Sequence, residues 1–369
     1  MNPLALSLYH QSLKTYGLLQ KLFRLPSTST LKCIMRRVNI QPGFSESILK
    51  ALANKAKSMK TEERLCLIAF DEMTIRESLT FDVARDRVEG LQDLGPSLGR
   101  SRFVANHAGV FMVQGLFSKR KQSIGYFLSS GPVKNSSLKE LICETVKLVK
   151  AAGLDPKVFV CDQGANNRSV LQCLGVTETS PHFTVEMPNE SVTMHAMYDP
   201  PHPIKNVRYH FKQSGFMVNG KKISWQYIEK FYDEDCKLPI RMAPKLTKKH
   251  IIIPPFKGMS VKLATQIFSH SVAAGISTLC SLGHMKADAI HTARFVENFD
   301  KLFNCFNSMN VHDSNEFRCA LSASSCHWDF LDECLNWLNG IEKCQKIKSK
   351  NKPKKKRKPA EPKDKKEAK

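Results

Sequence analysis

Two short, wholly apolar runs each stop at an aspartate, and nothing else in the sequence constrains the fold as tightly. Leu65-Cys66-Leu67-Ile68-Ala69-Phe70 runs into Asp71-Glu72, and Val158-Phe159-Val160-Cys161 runs into Asp162. A short run that is apolar at every position reads as a central strand covered on both faces. Strands are also expected at Gly90–Gly95, Gly109–Phe117 and Ser123–Ser129. Leu138 to Ala152 has the period of an amphipathic helix, ending at Gly153 with Pro156 beyond, and Gly164 to Leu174 reads as a helix closed by Gly175. Strands, then a helix, a strand and a helix predict an α/β fold on a mixed sheet.

If the two apolar strands are neighbours, Asp71 and Asp162 project from one edge of that sheet. Two unit charges ~4 Å apart repel by about 4 kcal/mol at an effective dielectric near 20. A raised pKa, a basic neighbour or a divalent cation relieves this. Hard oxygen ligands suit Mg²⁺ or Mn²⁺, and two such ions ~3.5–4 Å apart clamp an in-line phosphoryl displacement. The competing reading is that both acids cap the turns after them, Asp162 before Gly164-Ala165-Asn166-Asn167 in particular.

Composition narrows the partners. The 369 residues carry a formal charge of +22, and 42% are hydrophobic, which excludes a wholly disordered chain. Ile341 to Lys369 holds 14 Lys and Arg against 4 acids, leaving +12 on the preceding residues. Residues 341–369 have almost nothing apolar to offset their ordering entropy, so a disordered basic tail is expected there. Its centre, Lys354, Lys355, Lys356, Arg357 and Lys358, resembles a nuclear import signal, although a solvated or non-specifically nucleic-acid-binding tail has the same composition. The charge elsewhere points to a polyanionic partner, because phosphate neutralisation releases counterions. No apolar run reaches the ~18–20 residues of a membrane span, and the N-terminus has no signal-peptide pattern, so neither membrane insertion nor export is expected. None of the 12 cysteines forms a CxxC pair, and Cys326-His327 has no partner pair at finger spacing. Reduced thiols are expected rather than a disulfide or zinc framework.

The first sixty residues read as three helices, Leu4–Phe23, Leu31–Val38 and Ser45–Met59, broken at Pro26 and at Pro42-Gly43. A helix-turn-helix unit fits, with Lys32, Arg36 and Arg37 placed to meet phosphates. A helical packing arm with solvated basic residues fits equally. Beyond Asp199-Pro-Pro-His-Pro203 the pattern is mostly helical, over Trp225–Tyr232, Val261–Leu282, Ala287–Phe306 and Asp329–Asn339.

Three segments in order, Phe70-Asp71-Glu72-Met73, Val160-Cys161-Asp162-Gln163-Gly164-Ala165-Asn166-Asn167-Arg168 and Asp199-Pro200-Pro201-His202-Pro203-Ile204-Lys205-Asn206-Val207-Arg208, resemble the P-element-type transposases, including the THAP-domain transposase-like proteins. Lys245–Ile251 and Phe299–Ser308 resemble parts of that family's GTP-binding insertion. The resemblance implies a helical, helix-turn-helix-like region at 1–60 and the first part of an RNase H-like core at 61–195. It implies a mostly helical insertion domain at 196–340, before the basic tail. It implies Asp71 and Asp162 as the first two catalytic acids, holding Mg²⁺ or Mn²⁺ for cut-and-paste DNA cleavage and strand transfer. Asp199, His202, Lys205 and Asn206 would lie near a GTP site, although no GxxxxGK[ST] loop is present. Implied partners are DNA, GTP, and a second copy or a full-length transposase, in the nucleus.

Two departures qualify the resemblance. No THAP zinc module is read before the first helix, and the family's third acid, a Glu in a Leu-Glu-Asn-Phe-like context after the insertion, has no counterpart before the tail. Glu297-Asn298-Phe299 imitates it from inside the insertion and reads as a decoy. Catalytic impairment is therefore expected, with a domesticated, non-catalytic DNA-binding regulator or a GTP-binding module as the alternatives.

Overall fold

The computed structural model describes residues 3–36, 40–83, 85–255, 257–308 and 313–344. The chain divides into two units, Met1–Asp199 and Pro200–Lys369.

The first unit opens with α1 (Pro3–Gln11), α2 (Leu13–Leu22) and α3 (Thr28–Arg36). The single helix expected over Leu4–Phe23 is two, because Ser12 turns to extended backbone and its hydroxyl accepts the Thr15 N–H at 3.1 Å, capping α2. Ala5, Tyr16 and Leu31 form a small core of their own, and the Tyr16 hydroxyl donates to the Pro26 carbonyl at 2.7 Å. After β1 (Gly43–Phe44) comes α4 (Glu46–Ala56). This helix was expected to complete the N-terminal helical region; instead its Leu52 and Ala56 pack into the core of the sheet.

The remaining elements of this unit are α5 (Thr61–Arg64), β2 (Leu65–Thr74), β3 (Thr80–Asp82), β4 (Arg87–Glu89), β5 (Leu91–Asp93), α6 (Gly95–Leu98), β6 (Arg100–Val104), β7 (His107–Gly115) and β8 (Lys121–Ser129). They continue through α7 (Asn135–Ala151), β9 (Asp155–Cys161), α8 (Ala165–Cys173), β10 (His182–Glu186) and β11 (Ser191–Tyr198). Nine strands form a mixed sheet in the order β10-β11-β9-β2-β7-β8-β5-β6, with β1 on β8. The β11, β9 and β2 strands run parallel, and β2 pairs antiparallel with β7.

Burial alternates along the strands, as the pleat requires. On β2, Cys66, Ile68 and Phe70 are enclosed, and on β9, Phe159 and Cys161 are. Leu67, Ala69, Val158 and Val160, between them, are half-buried. The expectation of strands covered equally on both faces is therefore corrected. Residues of α4, α7 and α8 join the core on one face, where Leu138, Leu141, Ile142, Val146 and Val149 of α7 recur at helical spacing. Phe111 is fully enclosed among Phe44, Phe70 and Phe127, with ring centroids 4.7 to 5.9 Å away. The β10–β11 hairpin was not read from the sequence, although Phe183, Val185, Val192 and Met194 alternate with polar residues at the period of a half-buried strand.

The second unit comprises α9 (Pro201–Gln213), β12 (Phe216–Val218), β13 (Lys221–Ile223), α10 (Trp225–Asp235), α11 (Lys248–Ile251), α12 (Val261–Ile267), α13 (His270–Ser281), α14 (Ala289–Phe306), α15 (His327–Asn339) and β14 (Ile341–Lys343). Phe211, Phe216, Trp225, Phe268 and Phe295 lie at its core. The helix expected over Val261–Leu282 breaks at Phe268-Ser269 into α12 and α13. The tail expected to be disordered from 341 is corrected at its start. Ile341–Lys343 pairs antiparallel with β12, and Ile341 is half-buried against the phenylalanine core. Residues 345–369, including Lys354, Lys355, Lys356, Arg357 and Lys358, lie outside the described residues.

Phe111→Ala is expected to cost about 3–5 kcal/mol of stability. Urea unfolding checks this through the midpoint, and a loss below about 1 kcal/mol would mean that the aromatic cluster does not hold the sheet.

Candidate metal centre

The register of β2 on β9 decides where the two acids stand. Leu67 pairs with Val158, Ile68 with Phe159 and Ala69 with Val160. Asp71 and Asp162 each stand two residues beyond that last pair. The enclosed residues of both strands share the core face, so Asp71 and Asp162 share the opposite one. Neighbouring strands are ~4.8 Å apart, which sets the scale of their separation. Asp71 does not end its strand, as the apolar run suggested, because β2 continues through Thr74 paired with His107 of β7.

Asp162 is held in place from the loop that follows it. Its Oδ1 accepts the Gly164 N–H at 2.9 Å and the Asn167 side-chain amide at 2.5 Å. Asn167 is buried on α8. A Cβ at position 164 would meet the same oxygen at 2.9 Å, so glycine there lets the loop close on the carboxylate. Both bonds fall on Oδ1. The negative charge is also felt behind the strand: burial, with the Asp162 charge adding to it, pushes the Cys161 thiol up to about 12.

Asp71 is exposed, and its Oδ1 accepts the N–H of Glu72 at 3.0 Å. Glu72 belongs to the other face. Its Oε1 accepts the Val133 N–H at 3.2 Å and the Ser129 hydroxyl at 3.4 Å, which ties down the loop after β8. Two carboxylates on one face of one rim, one of them oriented by hydrogen bonds, suit a hard divalent cation. Among the described residues no group of three His, Cys, Asp or Glu side chains is placed to hold a metal ion.

The other expected site residues fall elsewhere. Asp199 directly follows β11, and its N–H donates to the Cys161 carbonyl at 2.9 Å, which places its backbone beside the Asp162 strand. His202, Lys205 and Asn206 lie on the first turns of α9 in the second unit, at the i, i+3 and i+4 spacing that shares one helix face, which runs from the buried Lys205 to the exposed Asn206. Arg208, one turn past Lys205, is 1% exposed and donates to the Gly258 and Ser260 carbonyls. Its Nε has no partner, and burial pulls its pKa below the usual guanidinium value. Lys32 is exposed on α3, and Arg36 ends that helix. Arg37 lies outside the described residues. Glu297 is on α14 in an ion pair with Lys301 at 3.6 Å. Sequence reasoning missed the roles of Asn167 and Arg208, although both stood inside quoted segments; the signal was an amide one helical turn after an acid-Gly turn, and a basic residue on the apolar face of α9.

Comparison with known proteins bears on both units. Residues 40–175 match the family described as TNP-like, RNase H N-terminal domain, and residues 201–319 match the TNP-like, GTP-binding insertion domain. Transposable element P transposase of Drosophila melanogaster is 27% identical over 303 residues, which are 82% of this chain and 37% of that protein. DNA transposase THAP9 of Homo sapiens is 24% identical over 330 residues, 85% of this chain and 35% of that protein. The chain thus spans little more than a third of these curated relatives. The solved Drosophila P element transposase strand transfer complex superposes with a TM-score of 0.72 at 26% identity, covering 90% of this chain and 70% of that one. The mixed sheet is accordingly an RNase H-like fold, and the chain carries a TNP-like RNase H N-terminal domain followed by a TNP-like GTP-binding insertion domain, homologous to the Drosophila P element transposase and to THAP9.

Proposed function

We propose that the first unit is the metal-holding part of a DNA transposase core, with Asp71 and Asp162 as ligands of Mg²⁺ or Mn²⁺ and duplex DNA as substrate. The observation that supports this most is the placing of Asp71 on β2 and of Asp162 directly after β9, each two residues past the last pair of a shared parallel register. A divalent ion bound there supplies charge stabilisation for phosphodiester cleavage and strand transfer. The chain's own part is to hold it. Gly164 and Asn167 fix one oxygen of Asp162 and so select the orientation its carboxylate takes. The half-buried setting of Asp162 raises the cost of leaving two like charges unrelieved, and a cation removes that cost.

Titration of the full chain with Mn²⁺, followed by calorimetry, checks the assignment. Asp71→Asn and Asp162→Asn are each expected to abolish high-affinity binding, and Asn167→Ala to weaken it about 10-fold, as loss of a ligand-orienting bond does. Unchanged binding in the two aspartate variants would contradict it.

The second unit binds a guanine nucleotide in this reading. Its supports are the family description of residues 201–319 and the buried Lys205 and Arg208, which have no carboxylate within ion-pair range among the described residues. Buried cations without a counter-ion are costly, and phosphate oxygens would relieve both. His202 and Asn206, on the same helix, remain proposed neighbours of that nucleotide. A fluorescent GTP analogue should bind the full chain, and Lys205→Met should weaken it roughly 10-fold or more, the worth of a hydrogen bond to a charged group. Equal affinity in the variant would remove Lys205 from the site.

The protein acts in the nucleus in this reading, imported through Lys354–Lys358; no helix among the described residues is long and apolar enough to cross a membrane. Deleting residues 351–369 from a fluorescent fusion should shift it to the cytoplasm, and an unchanged distribution would refute the signal.

A further inference from the structure

A basic groove lies at the opposite rim of the sheet from the acids. The turn between β7 and β8 and the helix α4 enclose about 840 Å³, lined by Lys55 from α4, by Lys119, Arg120 and Lys121 from the turn, and by one acid, Glu63, whose carboxylate accepts the Lys60 N–H at 3.0 Å. The turn leaves β7 at Gly115, the partner of Cys66, whereas Asp71 stands five residues further along β2. At ~3.4 Å per residue that separation is about 17 Å.

Three observations mark the groove as built for a polyanion. None of its four cations is in an ion pair with a described residue, although ion pairs such as Lys150–Asp155 and Arg241–Asp235 form elsewhere. Lys55, Lys119 and Lys121 are exposed along its two walls, so their charges converge on the space between them. Arg120 is fixed rather than free. Its guanidinium lies 2.8 Å from the Met59 sulfur and donates to the Glu63 carbonyl at 3.5 Å, bridging the turn to the segment after α4. Its Nε and the Ser118 hydroxyl are enclosed without a hydrogen-bond partner. The turn is also rigidly closed, since a Cβ on Gly115 would come within 2.1 Å of that hydroxyl. At its tip Phe117 is 70% exposed, an apolar side chain set beside the cations.

We propose that this groove anchors the phosphate backbone of duplex DNA, away from the bond to be cut; the proposal rests on the reading of DNA as substrate. Lys55 faces a backbone from one wall, and Lys119 and Lys121 from the other. Phe117 would pack against the sugars or wedge at a base step, as apolar side chains do beside basic ones in the minor groove. Contacts of this kind position a duplex without reading its sequence.

The test is fluorescence anisotropy of a labelled, arbitrary-sequence duplex across a salt series, with the full chain and with Lys55→Gln/Lys119→Gln/Lys121→Gln. All three side chains are exposed, so the variant should fold. The slope of log affinity against log salt is expected to fall by about 2–3, near 0.9 per lost phosphate contact, with affinity lower by about tenfold or more for every sequence tried. Mn²⁺ titration of the same variant should match the parent chain. Phe117→Ala should weaken binding while leaving the slope unchanged. If the parent chain binds duplex and the triple variant keeps its slope, the groove assignment is overturned and the DNA reading stands. If the parent chain binds no duplex, both fall.

Discussion

Parallel pairing of β2 with β9 is the constraint on which the rest of this structure depends. It aligns two apolar runs so that every enclosed residue faces one side and two aspartates face the other. A slip by a single residue would turn Asp162 toward the core while leaving Asp71 outside, because the pleat alternates with period two. The register is secured from the core side. Phe70, Ile68, Phe159 and Cys161 pack with residues of α7 and α8, so burial of apolar area on one face fixes the charges on the other.

The asymmetry of the sheet follows. One face carries an enclosed aromatic and aliphatic core, and the other carries half-buried residues leading to the acids. Glu72, next to Asp71 in sequence, shows how sharply the faces differ: one carboxylate tethers a loop by accepting Val133 and Ser129, while its neighbour stays exposed on the far side. At Asp162 the loop closes around the carboxylate through Gly164 and Asn167. The Gly164-to-Asn167 segment is thus a turn capped by Asp162, and the same bonds fix the orientation of its carboxylate.

The central strands were legible because they are apolar at every position, and α7 because its enclosed residues recur at helical spacing. The P-element likeness lay in three ordered segments, which the comparisons match along most of the chain. What was not legible had local causes. Ser12 splits a helix by capping the second half, which apolar spacing cannot reveal. The strand β14 lies where composition alone suggests an unstructured tail. Arg208 carries no mark of burial in the sequence, yet it donates to two carbonyls inside the second unit. The hydrogen bonds of Asp162 were invisible for a different reason, since they depend on how a loop closes rather than on periodicity.

The two units carry different kinds of charge. Acids gather at one rim of the first sheet and unpaired cations at the other, while the second unit buries Lys205 and Arg208. In a protein of +22 charge, an exposed Asp71 and a half-buried Asp162 at a single rim are what the proposed cation site rests on. The most direct measurement of that arrangement is iron-directed backbone cleavage. Fe²⁺ with ascorbate and peroxide, added to the folded chain, should cut the backbone next to residues 71 and 162 together, with both cuts suppressed by excess Mg²⁺. Cuts at only one of these strands, or cuts that Mg²⁺ does not compete away, would contradict a shared ion between them.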